Sequence, residues 1–485
     1  MKSAISPQRT RHLTLLLFFF AAFNFIYSKH FIYDGNPPNR VSLCLALLEN
    51  RSVVIDKYYH LTADHCIRDG HYYSDKAPGA SFLAMPFIAA AFYGLQAMGR
   101  TDVTSIDPRD GEPNVNFKLL MLAGSLAVSI PCALAVAVFF RLCLGLGLAP
   151  FLSFFGSVLL GFGTPFGIWA TFFIGHSLAG AFLVFSLTGG LFFLAEKRPA
   201  GWGWGGVGFL LAYAVWIEYT AAVPACLLGT VFLGIAGRRG RKALELLRIA
   251  TGMFLGAVPV VCGFFLYNTI AFGSPFCVGY QFVTMNFPLM QQGFCGVNVP
   301  QPSVFFRTLF DPRFGILWFS PIFAFSPLFA VGGIVLARHR LLNVFCLVIP
   351  IYYFLLNASY AYWWQSDIPV RHTTASFPFL LLPVLLLWND LGVRSRRAVG
   401  FFALLGLFLC SIALYVPCMP SYYDWPFSSP ALVKDFVLGK MKNLLYYAGV
   451  DPRLSFLPII AAWVVFVYLA RRWLFGHPRA DVPGS

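Results

Sequence analysis

Residues 81–98 read SFLAMPFIAAAFYGLQAM. The stretch carries no charge and is long enough to cross a hydrocarbon core of roughly 30 Å as a helix. Whether it crosses decides the fold, because every later segment takes its orientation from it. The chain around it is apolar throughout: of 485 residues, 58% are hydrophobic and 11% charged, with a mean hydropathy of +0.70. That composition, with repeated apolar runs of spanning length, describes an all-α polytopic membrane protein. The formal charge of +15 does not point to nucleic acid, because the basic residues stand in short clusters between apolar runs, where they set membrane orientation.

Those clusters answer the question about 81–98. The groups Glu196-Lys197-Arg198, Arg238-Arg239-Gly240-Arg241-Lys242, Arg338-His339-Arg340, Arg394-Ser395-Arg396-Arg397 and Arg471-Arg472 fall on the side of a cytoplasmic N-terminus only if 81–98 does not cross. The expectation is therefore an interfacial helix there, and about twelve spans, at 12–28, 117–140, 148–166, 174–195, 203–217, 219–236, 248–267, 316–337, 342–358, 374–390, 398–416 and 457–474. Lys2, Arg9 and Arg11 precede the first run like a signal peptide. No small-x-small cleavage site follows, so the run reads as an uncleaved span. Both termini are expected inside, with Arg239, Arg338 and Arg396 cytoplasmic and Asp64, Asn298, Trp364 and Tyr423 outside. The candidate site would then lie on the outer side of the membrane.

The chain reads as one transmembrane domain, 1–485, whose polar chemistry sits in outer loops at 28–116, 268–315 and 417–456. In the first, residues 39–49 place Val41, Cys44, Leu45 and Leu48 at helical spacing, an amphipathic helix expected to face lipid. Cys44 with Cys66, and Cys277 with Cys295, share outer loops and could form disulfides, which would leave Cys418 unpaired. Six further cysteines lie in or beside spans as small apolar residues. No C-x-x-C pair or H-E-x-x-H helix marks a zinc site.

Asp34, Asp56, Asp64, Asp69, Asp75, Lys76, His60, His65 and His71 crowd the first outer loop, around DGHYYSDKAPG at 69–79. Any one of them would pass for a solvated loop residue. His176, the pair Glu218-Tyr219, and WWQSDIPVRH at 363–372 fall at the same outer level and strengthen the pattern. Singly these read as satisfied span-end residues, and Trp363 with Trp364 as an interfacial belt. Together they describe a cavity bearing carboxylates and cations, suited to group transfer from an anionic lipid. A carboxylate takes the proton of an attacking hydroxyl, and Lys76, Arg371 and His372 hold a phosphate whose charge grows as it leaves. Tyr72, Tyr73, Trp363 and Trp364 offer faces to a sugar or isoprenoid chain, with Asp75, His176, Glu218 and Tyr219 completing the cavity. Asp64 is the preferred base, then Asp56, then Asp34, because Asp64 lies between the amphipathic helix and Lys76.

The order of these motifs, with Asn39-Arg40, IDKYYHLTADH, YYSDKAPG, GTPFGIWATFFIGH, YNTIAFGSPF, GILWFSP and WWQSDIPVRHTTASFPF, resembles the GT-C superfamily of membrane glycosyltransferases. It is similar in particular to bacterial protein mannosyltransferases of the dolichyl-phosphate-mannose type and to lipid A aminoarabinose transferases. The latter carry Tyr-Phe-x-Lys-Pro-Pro where this chain has Tyr73-Ser74-Asp75-Lys76-Ala77-Pro78. The resemblance implies inverting transfer from a polyprenyl-phosphate sugar to a lipid, glycan or protein hydroxyl, with an outer aspartate as base and Lys76 on the phosphate. It implies no definite cofactor, and a divalent metal stays an open alternative. Family members often carry an acidic pair before the arginine matching Arg40, whereas this chain has Pro37-Pro38-Asn39.

The rival reading is a transporter or lipid flippase, which would place ionisable residues at mid-span or break its helices there. A noncatalytic scaffold would leave the outer constellation idle.

Overall fold

The computed structural model describes residues 5–28, 35–108, 111, 113–196, 201–283, 287–311, 315–363, 371–388, 390–415 and 443–475. Asp34, Trp364, Cys418 and most of the expected 417–456 loop lie outside them. The described chain is 76% helical, and eight of its helices are long and apolar enough to cross a membrane.

Helix α1 (Pro7–Tyr27) packs along α4 (Val115–Gly145), which in turn packs on α5 (Pro150–Phe162) and α7 (Gly175–Ala195). Then α8 (Gly201–Ile217) lies between α7 and α10 (Ala243–Phe272), with α9 (Ala222–Arg238) beside them. The second half packs α13 (Ser326–Val335), α14 (Arg340–Ser359) and α15 (Phe377–Trp388) together. There α16 (Val393–Tyr415) lies against α5, and α17 (Leu457–Phe475) against α1. Small residues set the closest approach. A Cβ on Gly208 of α8 would collide with the Met253 carbonyl, and one on Gly256 of α10 with that of Gly205, so only glycine permits this backbone contact.

Each of the twelve expected spans has a helical counterpart, but two are broken. The run at 148–166 stops at Gly163 and resumes as α6 (Pro165–Trp169). The run at 316–337 opens with α12 (Ile316–Phe319), breaks at Ser320, and resumes after Pro321. Proline has no N–H and cannot continue either helix. The two breaks meet: Ser320 Oγ donates to the Gly163 carbonyl at 2.9 Å, and Cys410 Sγ on α16 to the Phe319 carbonyl at 3.2 Å. The freed backbone groups are thus satisfied inside the protein, as a hydrocarbon setting requires.

Residues 79–97 form α3 (Gly79–Ala97), which by length and composition would suffice to span. It starts three residues after Lys76, and just beyond its far end the Thr104 carbonyl meets His60 Nε2 at 2.8 Å, back in the first loop. The basic clusters gather at the other end of the bundle. There the ends of α4, α7 and α9 and the α13–α14 joint surround one cavity, Arg338 pairs with Asp390, and His12 on α1 meets Trp473 on α17 at 5.1 Å. The segments on either side of α3 thus both touch the first loop, away from the basic cavity.

Two expectations are corrected. The amphipathic helix is α2 (Asn36–Asn50), and Val41, Cys44 and Leu45 are fully buried against protein, not lipid. Cys44, Cys66, Cys277 and Cys295 are all free. Cys44 donates to the Ser81 carbonyl and Cys66 to that of Tyr73, so their sulfurs sit in separate environments.

Candidate active site

The site grows from the way α2 holds the SDKAPG loop. Arg40, fully buried on α2, donates from Nε to Asn36 Oδ1 at 2.8 Å, from Nη1 to the Ala77 carbonyl at 2.9 Å and from Nη2 to Glu218 Oε1 at 3.2 Å. One side chain therefore pins the loop to the α8–α9 junction. Asn39, next to it, donates to the Asp64 carbonyl and accepts from the Ser74 hydroxyl, tying the two acidic segments together.

Between those segments stands Lys76. Its ammonium lies 2.8 Å from Asp64 Oδ2 and 3.0 Å from Asp75 Oδ2, and 5.9 Å above the Tyr280 ring. Burial works to lower the Lys76 pKa, but Asp64 and Asp75 overcome it and hold the group well above the usual range. Asp75 keeps one oxygen, Oδ1, buried with no hydrogen-bond donor against it. Gly279 seats against the Asp75 backbone, where a Cβ would come within 2.7 Å of the Asp75 Cα.

The far wall comes from three more segments. Glu218 Oε1 lies 3.8 Å from His176 Nδ1, and a Cβ on neighbouring Gly175 would strike that carboxylate. The His176 and His372 rings meet edge to face at 5.4 Å, and Tyr360 approaches His372 at 5.2 Å. His372 Nδ1 is 3.1 Å from Asn357 Oδ1, so the ring proton belongs on Nδ1. Burial, with the charges of Arg371 and Lys76 added, keeps His372 well below the ordinary imidazole pKa, hence neutral at pH 7. Arg371 is buried with its guanidinium 5.8 Å above Trp169. The fields of Arg40, Lys76 and Arg371 all fall on Glu218, whose own pKa burial pushes up against them. Three cations thus face three carboxyl groups, Asp64, Asp75 and Glu218, in one buried cluster.

Of the residues expected here, the structure brings together Asp64, Asp75, Lys76, His176, Glu218, Arg371 and His372, with Tyr219 adjoining through Tyr280 at 6.0 Å. Asp56 stands apart. It lies on the exposed side of the hairpin β1 (Cys66–Arg68) and β2 (His71–Tyr73), accepting from His71 and from the Tyr72 N–H at 2.7 Å. Tyr72 stacks on Tyr59 at 4.0 Å, Tyr73 turns inward against Phe272, and Trp363 sits under Arg307 at 5.6 Å. Asn39 and Arg40 were visible in the sequence only as a marker, and Tyr280 and Tyr360 carried no signal. Among the described residues no group of three or more His, Cys, Asp or Glu side chains is placed to hold a metal ion.

No family model and no curated protein matches the sequence. Solved structures do match the fold. ArnT from Cupriavidus metallidurans, crystallised with undecaprenyl phosphate, superimposes with a TM-score of 0.50 at 14% identity over 97% of this chain and 78% of its own. The fold is of the GT-C kind. Two oligosaccharyltransferase structures from Archaeoglobus fulgidus match more loosely. One is the apo form (TM-score 0.40, 12% identity), the other AglB with an inhibitory peptide and a dolichol-phosphate (0.43, 13%). Each covers 87% of this chain, which spans 61% of theirs.

Proposed function

We propose that this GT-C protein transfers a sugar from a polyprenyl-phosphate donor to a hydroxyl of a lipid, glycan or protein acceptor. The observation that carries the reading is Lys76 held between Asp64 and Asp75, with Arg40, Lys76 and Arg371 all acting on the buried Glu218. The basic end of the bundle is the cytoplasmic face of a bacterial inner membrane. The Lys76 end is periplasmic, and both chain termini lie inside.

The donor phosphate takes the place of a carboxylate on Lys76, with Arg371 as second cation; neutral His372, whose Nδ1–H goes to Asn357, lies beside them and donates nothing to the phosphate. Displaced from Lys76, Asp64 accepts the acceptor's proton as its oxygen bonds to the anomeric carbon, and the bond from that carbon to the phosphate oxygen breaks with inversion. The leaving phosphate gains one negative charge while Asp64 loses one, so the charge of the buried cluster is unchanged across the step. Stabilising the developing phosphate charge more than the bound diester is what accelerates transfer.

The test is release of polyprenyl phosphate from a synthetic polyprenyl-phosphate sugar by the purified chain. Turnover should fall in Asp64→Asn with donor affinity kept, and persist in Asp56→Asn. Loss in Asp56→Asn with normal turnover in Asp64→Asn would move the base to the hairpin. No release by the wild-type chain with any polyprenyl-phosphate sugar would remove the reading.

A further inference from the structure

At the end of the bundle opposite Lys76, the helix ends leave a cavity of about 1050 Å³. Arg141 on α4, Arg238 and Arg239 at the end of α9, and Arg340 at the start of α14 line it, between apolar walls that include Leu142 and Phe192. No Asp or Glu among the described residues lines it. Among the described residues no carboxylate pairs with these four arginines, although Arg241 and Arg338 at the same end take Glu245 and Asp390. Arg239 donates to the Leu194 carbonyl at 2.9 Å and Arg340 to the Ile334 carbonyl at 3.2 Å.

Setting membrane orientation requires only positive charge near span ends, which arginines turned to water supply equally well. Here they ring a hollow with hydrocarbon walls, at the top of the roughly 300–1,000 Å³ typical of ligand pockets. A cationic rim over an apolar interior complements a molecule with an anionic head and a hydrocarbon tail.

We propose that this cavity binds an anionic phospholipid of the leaflet at that end. The phosphodiester sits among Arg141, Arg239 and Arg340 and the first methylenes of the acyl chains lie against Leu142 and Phe192. The bound lipid would bridge the ends of α4, α9 and α14. It owes nothing to the transfer chemistry.

Native mass spectrometry of the delipidated full chain, with phosphatidylglycerol, phosphatidylcholine or inorganic phosphate added, tests it. Phosphatidylglycerol should be retained and raise the melting temperature, with phosphatidylcholine roughly tenfold weaker or more. Inorganic phosphate should leave no adduct. Arg141→Gln with Arg239→Gln should weaken phosphatidylglycerol roughly tenfold or more, whereas Arg338→Gln, outside the cavity lining, should not. Gly145→Trp provides a second route: Gly145 lines the cavity and a Cβ there meets nothing within 4 Å, so the indole should fill the space and expel the lipid with every charge kept. Equal retention of the two phospholipids, or phosphatidylglycerol binding unchanged in both the double variant and Gly145→Trp, would overturn the proposal. Phosphate binding as well as phosphatidylglycerol would overturn it too.

Discussion

Both ends of the bundle collect cations, and the two ends treat them differently. At the site end Arg40 is buried and Lys76 largely so, both set directly against carboxylates, with Arg371 buried close by. At the basic end Arg141, Arg238, Arg239 and Arg340 are exposed and lack carboxylate partners among the described residues. Burial accounts for the difference. A charge taken out of water loses several kcal/mol of solvation unless an opposite charge and hydrogen bonds replace it, whereas a guanidinium at the interface keeps its water. Paired charges are thus the mark of a built interior site, and unpaired ones of a surface that meets anions.

The comparison breaks first at Arg40 and Glu218. Glu218→Leu leaves a buried guanidinium uncompensated and should cost about 3–5 kcal/mol of stability, measured by unfolding in detergent. Adding Arg40→Met should recover much of that loss. If Glu218→Leu is no less stable than wild type, the pair does not need its partner. The next effect is kinetic: Asp64→Asn should cut turnover by a factor on the order of a hundred or more, because a general base acts in the transition state. Lys76→Ala and Arg371→Ala should then weaken donor binding, with Arg371→Lys restoring part of it if the planar fork matters. Equal donor affinity in both alanine variants, on folded protein, would remove the phosphate clamp.

Two smaller effects sharpen the contrast. His372 has a depressed folded pKa, so below about pH 6.5 the unfolded chain binds a proton that the folded chain refuses. Stability contributed by the neutral ring is complete above that pH and declines as pH falls, by at most about 1.4 kcal/mol per unit. Unfolding measured from pH 7 to 5 should show a shallower slope in His372→Gln. At the basic end, Arg338→Gln should leave stability within about 0.5 kcal/mol, since its bond to Asp390 lies half in water.

Much of this organisation was legible in the sequence. Apolar runs and alternating basic clusters locate the helices because spanning length and interfacial charge act locally along the chain. The breaks at Gly163 and Ser320 were not, because a hydropathy window reads across a glycine or serine that interrupts the helix. Asp64 and Asp56 look alike in sequence; only the fold buries one beside Lys76 and leaves the other on a hairpin. Tyr72 and Tyr73 fall on opposite faces of β2, as the two-residue period of a strand requires. The part played by Arg40 depends on Glu218, 178 residues away, and no local pattern carries such a pairing.

The meeting of the two helix breaks bears on how the chain is made. With 13 residues, α5 is about 20 Å long and cannot cross the hydrocarbon by itself. The Ser320 hydroxyl that satisfies the Gly163 carbonyl is synthesised 157 residues later. Until it arrives, a nascent chain leaving the translocon holds a polar break that lipid cannot solvate. Segment 150–169 should therefore settle only after the second half docks. Ribosome-bound chains stopped before residue 320 should leave an engineered cysteine at position 163 open to a water-soluble thiol reagent, and full-length chains should protect it.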